Sequence, residues 1–184
     1  MKIIGFAGLS ESGKSYSGKY LEKKFNIPRV KLVKIIDELR IKYMKDEVDL
    51  EQFHKFLYNP NNLFTQFFLD KLMLELETRY QGSPLIVVES LRNPFLGEHF
   101  KAKLGNDFII VYFEAAFLTR VSREADKLNK ESTDIINSTY KKDQEKIIHG
   151  ALKYEKLCDY YYNNDSSLER LNAFLDKLVE ASNQ

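Results

Sequence analysis

The chain has 184 residues, which fits one ordinary domain with a sizeable hydrophobic core. Hydrophobic residues make up 43% and charged residues 30% of the sequence, a balance that excludes a disordered chain and is typical of a globular domain. The formal net charge is only +1, so overall charge gives no reason to expect a nucleic acid or an anionic membrane as the partner.

The first motif lies at the N-terminal end of the chain. An apolar run at 3–7 leads into G-L-S-E-S-G-K-S at 8–15, which is the P-loop pattern G-x-x-x-x-G-K-S. Glycines let the backbone approach phosphate oxygens, successive N–H groups bind those oxygens, and the following helix adds its positive end. We expect Lys14 to reach the β- and γ-phosphates of a nucleotide and the Ser15 hydroxyl to bind Mg²⁺. The residues of this segment predicted to bind ATP are Gly8, Ser10, Glu11, Ser12, Gly13, Lys14, Ser15 and Tyr16.

The periodicity of apolar residues divides the rest of the chain into alternating strands and helices. In its first half it predicts a helix from the P-loop to about 24, a strand at 29–33 and helices at 34–44, 50–58 and 63–80. In its second half it predicts a strand at 85–89, a helix at 95–104, a strand at 108–113, helices at 116–130 and 134–157 with a kink or end at Gly150, a strand at 159–162 and a last helix that begins at the capping box 166–169. This alternation predicts an α/β fold with a mainly parallel sheet.

The predicted strand at 85–89 ends in an acidic residue. Its sequence L-I-V-V-E is apolar up to Glu89, as in a parallel strand buried on both faces. Ligands of α/β sheets bind outside the carboxyl ends of the strands, so we expect Glu89 to lie in the site, as a ligand of Mg²⁺ or as a base toward the acceptor. Arg92 follows it and would bind an acceptor phosphate. A surface glutamate and a solvated loop arginine are the alternatives.

The helix predicted at 116–130 carries a basic face. Arg120 and Arg123 are neighbours on it because residues i and i+3 lie together on a helix, and Lys127 and Lys130 extend the face. Arginines in a closing lid stabilise a transferring phosphoryl group, which is the role we expect for this pair. An ordinary solvated face is the alternative.

Other polar residues give no comparable signal. We interpret the run K-K-D-Q-E at 141–145 as an exposed helix face. The histidines at 54, 99 and 149 have no ligand-like spacing with Cys, Asp or Glu, so no zinc site is predicted. A lone cysteine, Cys158, excludes a disulfide within the chain and favours a reducing compartment. With no apolar run of transmembrane length and no signal-peptide pattern, we expect a cytoplasmic protein without a membrane partner.

Taken in chain order, these motifs resemble one family of proteins. The P-loop, the helical segment, the strand followed by S-L-R-N-P, the R-x-x-R helix, the D-Q-E segment and D-Y-Y-Y-N resemble the nucleoside-monophosphate-kinase-like P-loop proteins. The resemblance is closest to the dephospho-CoA-kinase-like and deoxynucleotide-kinase-like branches. It implies a three-layer P-loop kinase fold, with a central five-stranded parallel sheet flanked by helices. It also implies a single domain over 1–184, a helical acceptor-binding insert at about 34–80 and a lid at about 117–134.

The same resemblance assigns further site residues. Arg120 and Arg123 match the lid arginines, and Asn164 lies in the segment that matches the loop near the adenine of ATP. Glu89 stands where such proteins usually carry an aspartate. In the helical insert, Asp37 and Arg40 are the candidates for contact with the acceptor.

Together these features predict an ATP- and Mg²⁺-dependent phosphotransferase that acts on a nucleoside monophosphate or a similar small nucleotide. Two alternatives stay open: a dephospho-CoA kinase that phosphorylates a ribose hydroxyl, and a nucleotide-binding regulatory or virion-associated module without an acceptor. The sequence carries no strong nucleic-acid signal and does not specify an oligomeric state. By predicted role the residues are Lys14, Glu89, Arg120 and Arg123 for catalysis, Ser15 and Glu89 for the metal, and Asp37, Arg40 and Arg92 for the acceptor.

Overall fold

The computed structural model of the chain describes residues 1–44, 49–57, 59, 62–129 and 132–182. Short 3-10 turns at Gly105–Asp107 and Ala151–Lys153 join some of its elements. The strands and helices in chain order are β1 (Lys2–Ala7), α1 (Lys14–Phe25), β2 (Arg29–Lys31), α2 (Leu32–Met44), α3 (Leu50–Leu57), α4 (Leu63–Arg79), β3 (Leu85–Leu91), α5 (Pro94–Leu104), β4 (Phe108–Glu114), α6 (Phe117–Leu128), α7 (Ser132–Ile148), α8 (Tyr154–Leu157), β5 (Tyr160–Asn163) and α9 (Leu168–Ser182).

The strands form one five-stranded sheet in the order β2-β3-β1-β4-β5, and every pair in it is parallel. Because parallel neighbours need crossover connections, helices cover both faces of the sheet. β1 is the central strand, and its Gly5 lies between Val88 of β3 and Ile110 of β4. The predicted α/β class with a five-stranded parallel sheet flanked by helices is confirmed.

Two hydrophobic cores lie on opposite faces of the sheet. Successive side chains of a strand point to opposite faces, so Ile3 joins the core that includes Leu39 of α2 and Leu72 of α4. Ile4 joins the core formed with α1 and with Leu175 of α9. The described ranges contain no helix long and apolar enough to cross a membrane.

Two predicted strand boundaries were wrong. β2 ends at Lys31, and the fully buried Leu32 is already the first residue of α2. β3 continues past Glu89 to the buried Leu91, with a register shift against β1. At the shift Ser90 has a φ of +72°, a left-handed conformation that is uncommon outside glycine. A local irregularity of this kind bends a strand and redirects the side chains that follow it.

Other predicted boundaries agree with the structure or lie outside the described residues. α7 ends at Ile148, and Gly150 turns the chain toward α8 with a φ of +91°, as predicted for this glycine. The predicted helix ends at 58 and 130 lie outside the described residues, as does Lys130. So do parts of the predicted insert (45–48, 58 and 60–61) and of the predicted lid (130–131).

A buried tyrosine anchors the loop that follows β3. Tyr154 is fully buried, donates its hydroxyl proton to the backbone oxygen of Asn93 at 2.6 Å and accepts the N–H of Gly97 at 3.1 Å. The Asn93 side chain caps α5 by accepting the N–H of Phe95 at 2.9 Å. Tyr154 therefore positions the loop that carries Arg92.

We expect Tyr154→Phe to lower the free energy of unfolding by about 1–3 kcal/mol, because it leaves the buried N–H of Gly97 without its partner. Urea denaturation measures this change. The matched control is Tyr140→Phe, at a position that is 58% exposed in α7, which should leave the free energy of unfolding unchanged. Equal losses in the two variants would contradict the anchoring role of the Tyr154 hydroxyl.

Candidate active site

A cleft of about 1480 Å³ opens where the P-loop leaves β1. Its walls come from the P-loop, the loop after β3, α3, α6, α7 and the loop after β5. The connection after β1 leads to β2 at one edge of the sheet, whereas the connection after the neighbouring β3 leads to β4 on the other side of β1. A crevice of this kind, at the carboxyl ends of parallel strands, is where α/β proteins bind their ligands.

The P-loop has the tight backbone that its glycines predict. Gly8 and Gly13 have φ values of +128° and +109°, which disfavour any side chain. A Cβ atom on Gly8 would lie 2.2 Å from the backbone oxygen of Phe113, and one on Gly13 would lie 2.1 Å from Nδ2 of Asn164. α1 begins directly after the loop, so its N-terminal end faces the cleft.

Lys14 lies inside this loop. Its Nζ donates hydrogen bonds to the backbone oxygens of Gly8 at 2.9 Å and of Leu9, and to Oγ of Ser12 at 3.1 Å. Burial and the nearby Lys146 lower the pKa of Lys14 to about 7. An ammonium with so little compensating negative charge is suited to bind a polyphosphate, which would raise that pKa again.

Ser15 and Glu89 lie together, as expected. The Ser15 hydroxyl donates to Oε2 of Glu89 at 3.0 Å, and Glu89 is only 2% exposed. Arg29 of β2 binds both carboxylate oxygens of Glu89, through Nε to Oε1 and through Nη2 to Oε2 at 3.1 Å. Gly18 lets α1 pack closely here, since a Cβ at that position would lie 2.3 Å from Oε1 of Glu89.

These donors fit Mg²⁺. A hydroxyl and a carboxylate are hard oxygen ligands, and Mg²⁺ is usually held by one or two protein oxygens, with phosphate and water oxygens completing the shell. The part of the chain that the structure describes contains no cluster of three or more His, Cys, Asp or Glu suited to hold a metal by itself. The sequence did not predict a role for Arg29, because its partner Glu89 lies 60 positions further along the chain.

Ser10 of the P-loop connects the loop to α6 and α7. Its N–H donates to Oδ1 of Asp143 at 3.1 Å, and its Oγ accepts a hydrogen bond from Nζ of Lys146 at 2.7 Å. Arg120 forms an ion pair with Asp143 and donates to the backbone oxygen of Ser10 at 3.3 Å. Arg120 and Asp143 are 5% and 4% exposed, so this ion pair is buried.

The interpretation of 141–145 as an exposed helix face was therefore wrong at Asp143. The carboxylate is buried because a buried arginine and a backbone N–H compensate its charge. Asp143 and Lys146 are three residues apart on α7, so both contact Ser10 from the same helix face. The sequence indicates these contacts with Ser10 only through that spacing, which does not show which face of the helix is buried.

Two cations, Arg92 and Lys146, lie close together at the cleft. Burial and Arg92 lower the pKa of Lys146 to about 8. The Nε of Arg92 is buried and has no hydrogen-bond partner among the described residues. Arg92 and Lys146 both line the cleft, so an anion bound there would satisfy both.

On the other side of the P-loop, Arg123 joins the loop after β5. Its Nη2 donates to the backbone oxygen of Asn164 at 2.6 Å, and its Nη1 donates to that of Glu11 at 3.3 Å. Asn164 in turn donates through Nδ2 to the backbone oxygen of Ser12 at 2.9 Å. Tyr16 lines the cleft as well and is 39% exposed. The predicted ATP-binding residues are thus close together.

Several predicted residues do not belong to the described lining of the cleft. Asp37 and Arg40 form an ion pair with each other on α2 at 2.9 Å, and the described lining of the cleft includes neither. It includes Arg123 but not Arg120. It also includes neither Gly8 nor Glu89, which lie behind the surface of the cleft. His54 of α3 lines the cleft instead, and no sequence signal had assigned it a role. The acceptor-contact role of Asp37 and Arg40 stays a prediction.

The fold and this site define a P-loop protein with the fold of small-molecule kinases. No protein-family model matches the chain. It is 28% identical over 180 residues to a UPF0200 protein of Sulfurisphaera tokodaii, an alignment that covers 98% of this chain and 97% of that protein. Its structure is similar to shikimate kinase from Bacteroides thetaiotaomicron, with a TM-score of 0.56, 13% identity and 100% and 99% of the two chains covered. It is also similar to a gluconokinase from Sinorhizobium meliloti, with a TM-score of 0.56, 12% identity and 98% and 94% covered.

At these identities the structural likeness shows the fold alone. The predicted P-loop kinase fold is confirmed, because shikimate kinase and gluconokinase share it over nearly the whole chain. These similarities give no support to the predicted dephospho-CoA-kinase-like or deoxynucleotide-kinase-like branch in particular.

We expect Asp143→Asn to lower the free energy of unfolding by about 3–5 kcal/mol, because it leaves the buried charge of Arg120 without its carboxylate. Asp126→Asn, at an exposed position of α6, is the matched control and should leave stability unchanged. Urea denaturation of both variants gives the comparison. A decrease of only about 1 kcal/mol in the free energy of unfolding, as for exposed ion pairs, would contradict a buried pair that holds α6 and α7 against the P-loop.

Proposed function

We propose that the protein transfers the γ-phosphoryl group of ATP to a nucleoside monophosphate or a similar small nucleotide. The observation that carries this proposal is the convergence of Lys14, Lys146 and Arg92 on one cleft, where the cations outnumber the acids that compensate them. Two phosphate-bearing substrates, one on each side of Ser10, would supply the missing negative charge.

The donor half of the proposed site is the P-loop. Its N–H groups and Lys14 would bind the β- and γ-phosphates, as in other P-loop proteins. Arg123 and Asn164 contact the backbone of Glu11 and Ser12 in the middle of the loop. We propose that the adenine lies near Asn164, as the family resemblance implies. Tyr16 lines the same part of the cleft.

Ser15 and Glu89 would hold Mg²⁺, which when bound neutralises charge on the β- and γ-phosphates. Arg29 binds both carboxylate oxygens of Glu89 and so orients the side chain toward Ser15. Because both oxygens already accept hydrogen bonds, the contacts favour the metal role of Glu89 over the role of a free base.

The acceptor half is proposed to lie beyond Ser10. Arg92 would orient the acceptor, since its guanidinium forks onto oxyanions. Lys146 donates to Ser10 and lies close enough to Arg92 for the two charges to repel, so it would stabilise the phosphoryl group in transfer. Arg120, which the sequence predicted for that role, instead binds Asp143 and would act by holding α7 against the P-loop. Arg123 lines the cleft and keeps the proposed lid role.

We expect Lys14→Ala to lower kcat by about a thousandfold or more, and Lys146→Met by about a hundredfold, because each removes charge from the transferring group. ATP consumption is measured with nucleoside monophosphates and with dephospho-CoA, and circular dichroism checks the fold. The matched control, Lys23→Ala at an exposed position of α1, should keep wild-type turnover. Unchanged transfer in Lys14→Ala would overturn the mechanism, and ATP consumption that no acceptor stimulates would favour the regulatory module.

Substitution of Glu89 distinguishes its two proposed roles. If it holds the metal, Glu89→Gln should raise the half-saturating Mg²⁺ concentration about tenfold or more, while excess Mg²⁺ restores most of kcat. If it is the base for a hydroxyl acceptor, kcat should fall at every Mg²⁺ concentration. Glu98→Gln, at an exposed position of α5, is the matched control and should change neither quantity.

A further inference from the structure

Two histidines meet at the acceptor side of the cleft. His54 belongs to α3, in the predicted acceptor insert, and His149 directly follows α7. Their ring centroids are 5.6 Å apart, with the ring planes at 75° to each other. Both side chains line the cleft that also contains the P-loop and Arg92. The proposed function described above assigns neither of them a role.

The charges around the two rings are mainly positive. Burial, then His149 and Arg92, lower the pKa of His54 to about 4; Arg40 acts in the same direction and Asp37 against it. Burial and Arg92 also lower the pKa of His149, while Glu145 raises it. Asp37 is already paired with Arg40 at 2.9 Å. Both imidazoles are therefore neutral at neutral pH, and the described charges around them are more positive than negative.

Arg92 completes this group of donors. Its Nε is buried and has no hydrogen-bond partner within the described ranges. It lies close enough to influence the pKa values of His54, His149 and Lys146. Arg92 also lines the cleft, so its guanidinium is placed to bind an oxyanion there.

We propose that His54, His149 and Arg92 bind a phosphate monoester carried by the acceptor, and that the imidazoles take up protons when it binds. This proposal rests on the proposed function, since it names the residues that would bind the phosphate of that acceptor. A phosphate monoester presents three acceptor oxygens and nearly two negative charges. Two imidazoles and a guanidinium offer enough donors for all three oxygens, whereas the two oxygens of a carboxylate need only the fork of one arginine.

The proton uptake has a definite sign. A bound dianion favours the charged imidazolium and raises the pKa of both histidines above their values in the free protein. Between the free and the bound pKa values the complex carries more protons than its components. Affinity for the monoester is therefore greatest at the acidic end of that window and falls as the pH rises through the bound-state values.

Isothermal titration calorimetry tests the proposal on the full chain. A non-hydrolysable ATP analogue with Mg²⁺ first saturates the P-loop, so that a later phosphate cannot bind there. AMP, CMP, GMP and UMP are then titrated at about pH 6.5 and about pH 8.5, in buffers of different ionisation enthalpy. Shikimate and gluconate are the carboxylate probes. We expect at least one monophosphate to bind with proton uptake, and about tenfold more tightly at the lower pH.

Histidine variants separate this uptake from the titration of the phosphate itself. His54→Gln combined with His149→Gln should remove the proton uptake measured at about pH 6.5, while Lys146, whose pKa is about 8, still contributes at about pH 8.5 in every variant. His149→Gln alone covers the case in which the double variant does not fold. His99→Gln is the matched control, because His99 lies on α5 beside Asp70 and Lys103 and not in the cleft. It should behave like the wild type.

The outcomes also separate this proposal from the proposed function. Absence of monophosphate binding, wild-type proton uptake in the histidine variants, or histidine-dependent binding of the carboxylates alone would each overturn the phosphate site. If the ATP analogue still binds and Lys14→Ala abolishes that binding, the donor half of the proposed function stands. If the analogue does not bind the wild type, the proposed function fails, and the monophosphate titrations without it still decide the histidine site.

Discussion

The buried contact between Ser10 and Asp143 is the interaction on which the site depends. The carboxylate accepts the N–H of Ser10 at 3.1 Å and pairs with Arg120, so P-loop, α6 and α7 meet at one desolvated point. A buried charge is stable only when it is paired, so Asp143 and Arg120 can be buried only together. The contact brings Lys146 to the P-loop from the same helix face.

A second, partly buried ion pair lies beside the start of α1, the helix that follows the loop. Arg29 of β2 holds Glu89 of β3, and Glu89 accepts the hydroxyl proton of Ser15. The first pair holds α7 against the P-loop, and the second pair holds β3 beside Ser15. Between the two pairs the cleft keeps Lys14, Lys146 and Arg92 close together, and a bound anion would compensate this excess of positive charge.

Much of the fold could be predicted, because its signals are local. Glycines at fixed spacing after an apolar run specify a P-loop, and β-branched runs specify buried strands. Part of the site could be predicted too, since Ser15 lies in the first turn of α1, just after the P-loop, Glu89 lies near the carboxyl end of the neighbouring strand β3, and the two side chains do meet. Arg29, Asp143 and His54 could not be found in this way. A charged residue on a helix is predicted to be exposed unless its partner is known, and the partner of Asp143, Ser10, lies 133 positions away in the chain.

By itself, then, the sequence determined the P-loop, the order of strands and helices, the acid near the carboxyl end of β3 and the arginine that follows the strand. These depend on contacts between near neighbours and on the residues' own conformational preferences. Only the tertiary structure decided that α7 turns Asp143 and Lys146 toward Ser10, that Arg29 holds Glu89, and that His54 meets His149 at the cleft. Those outcomes depend on which charges are buried together, and burial is a property of the assembled fold rather than of local spacing.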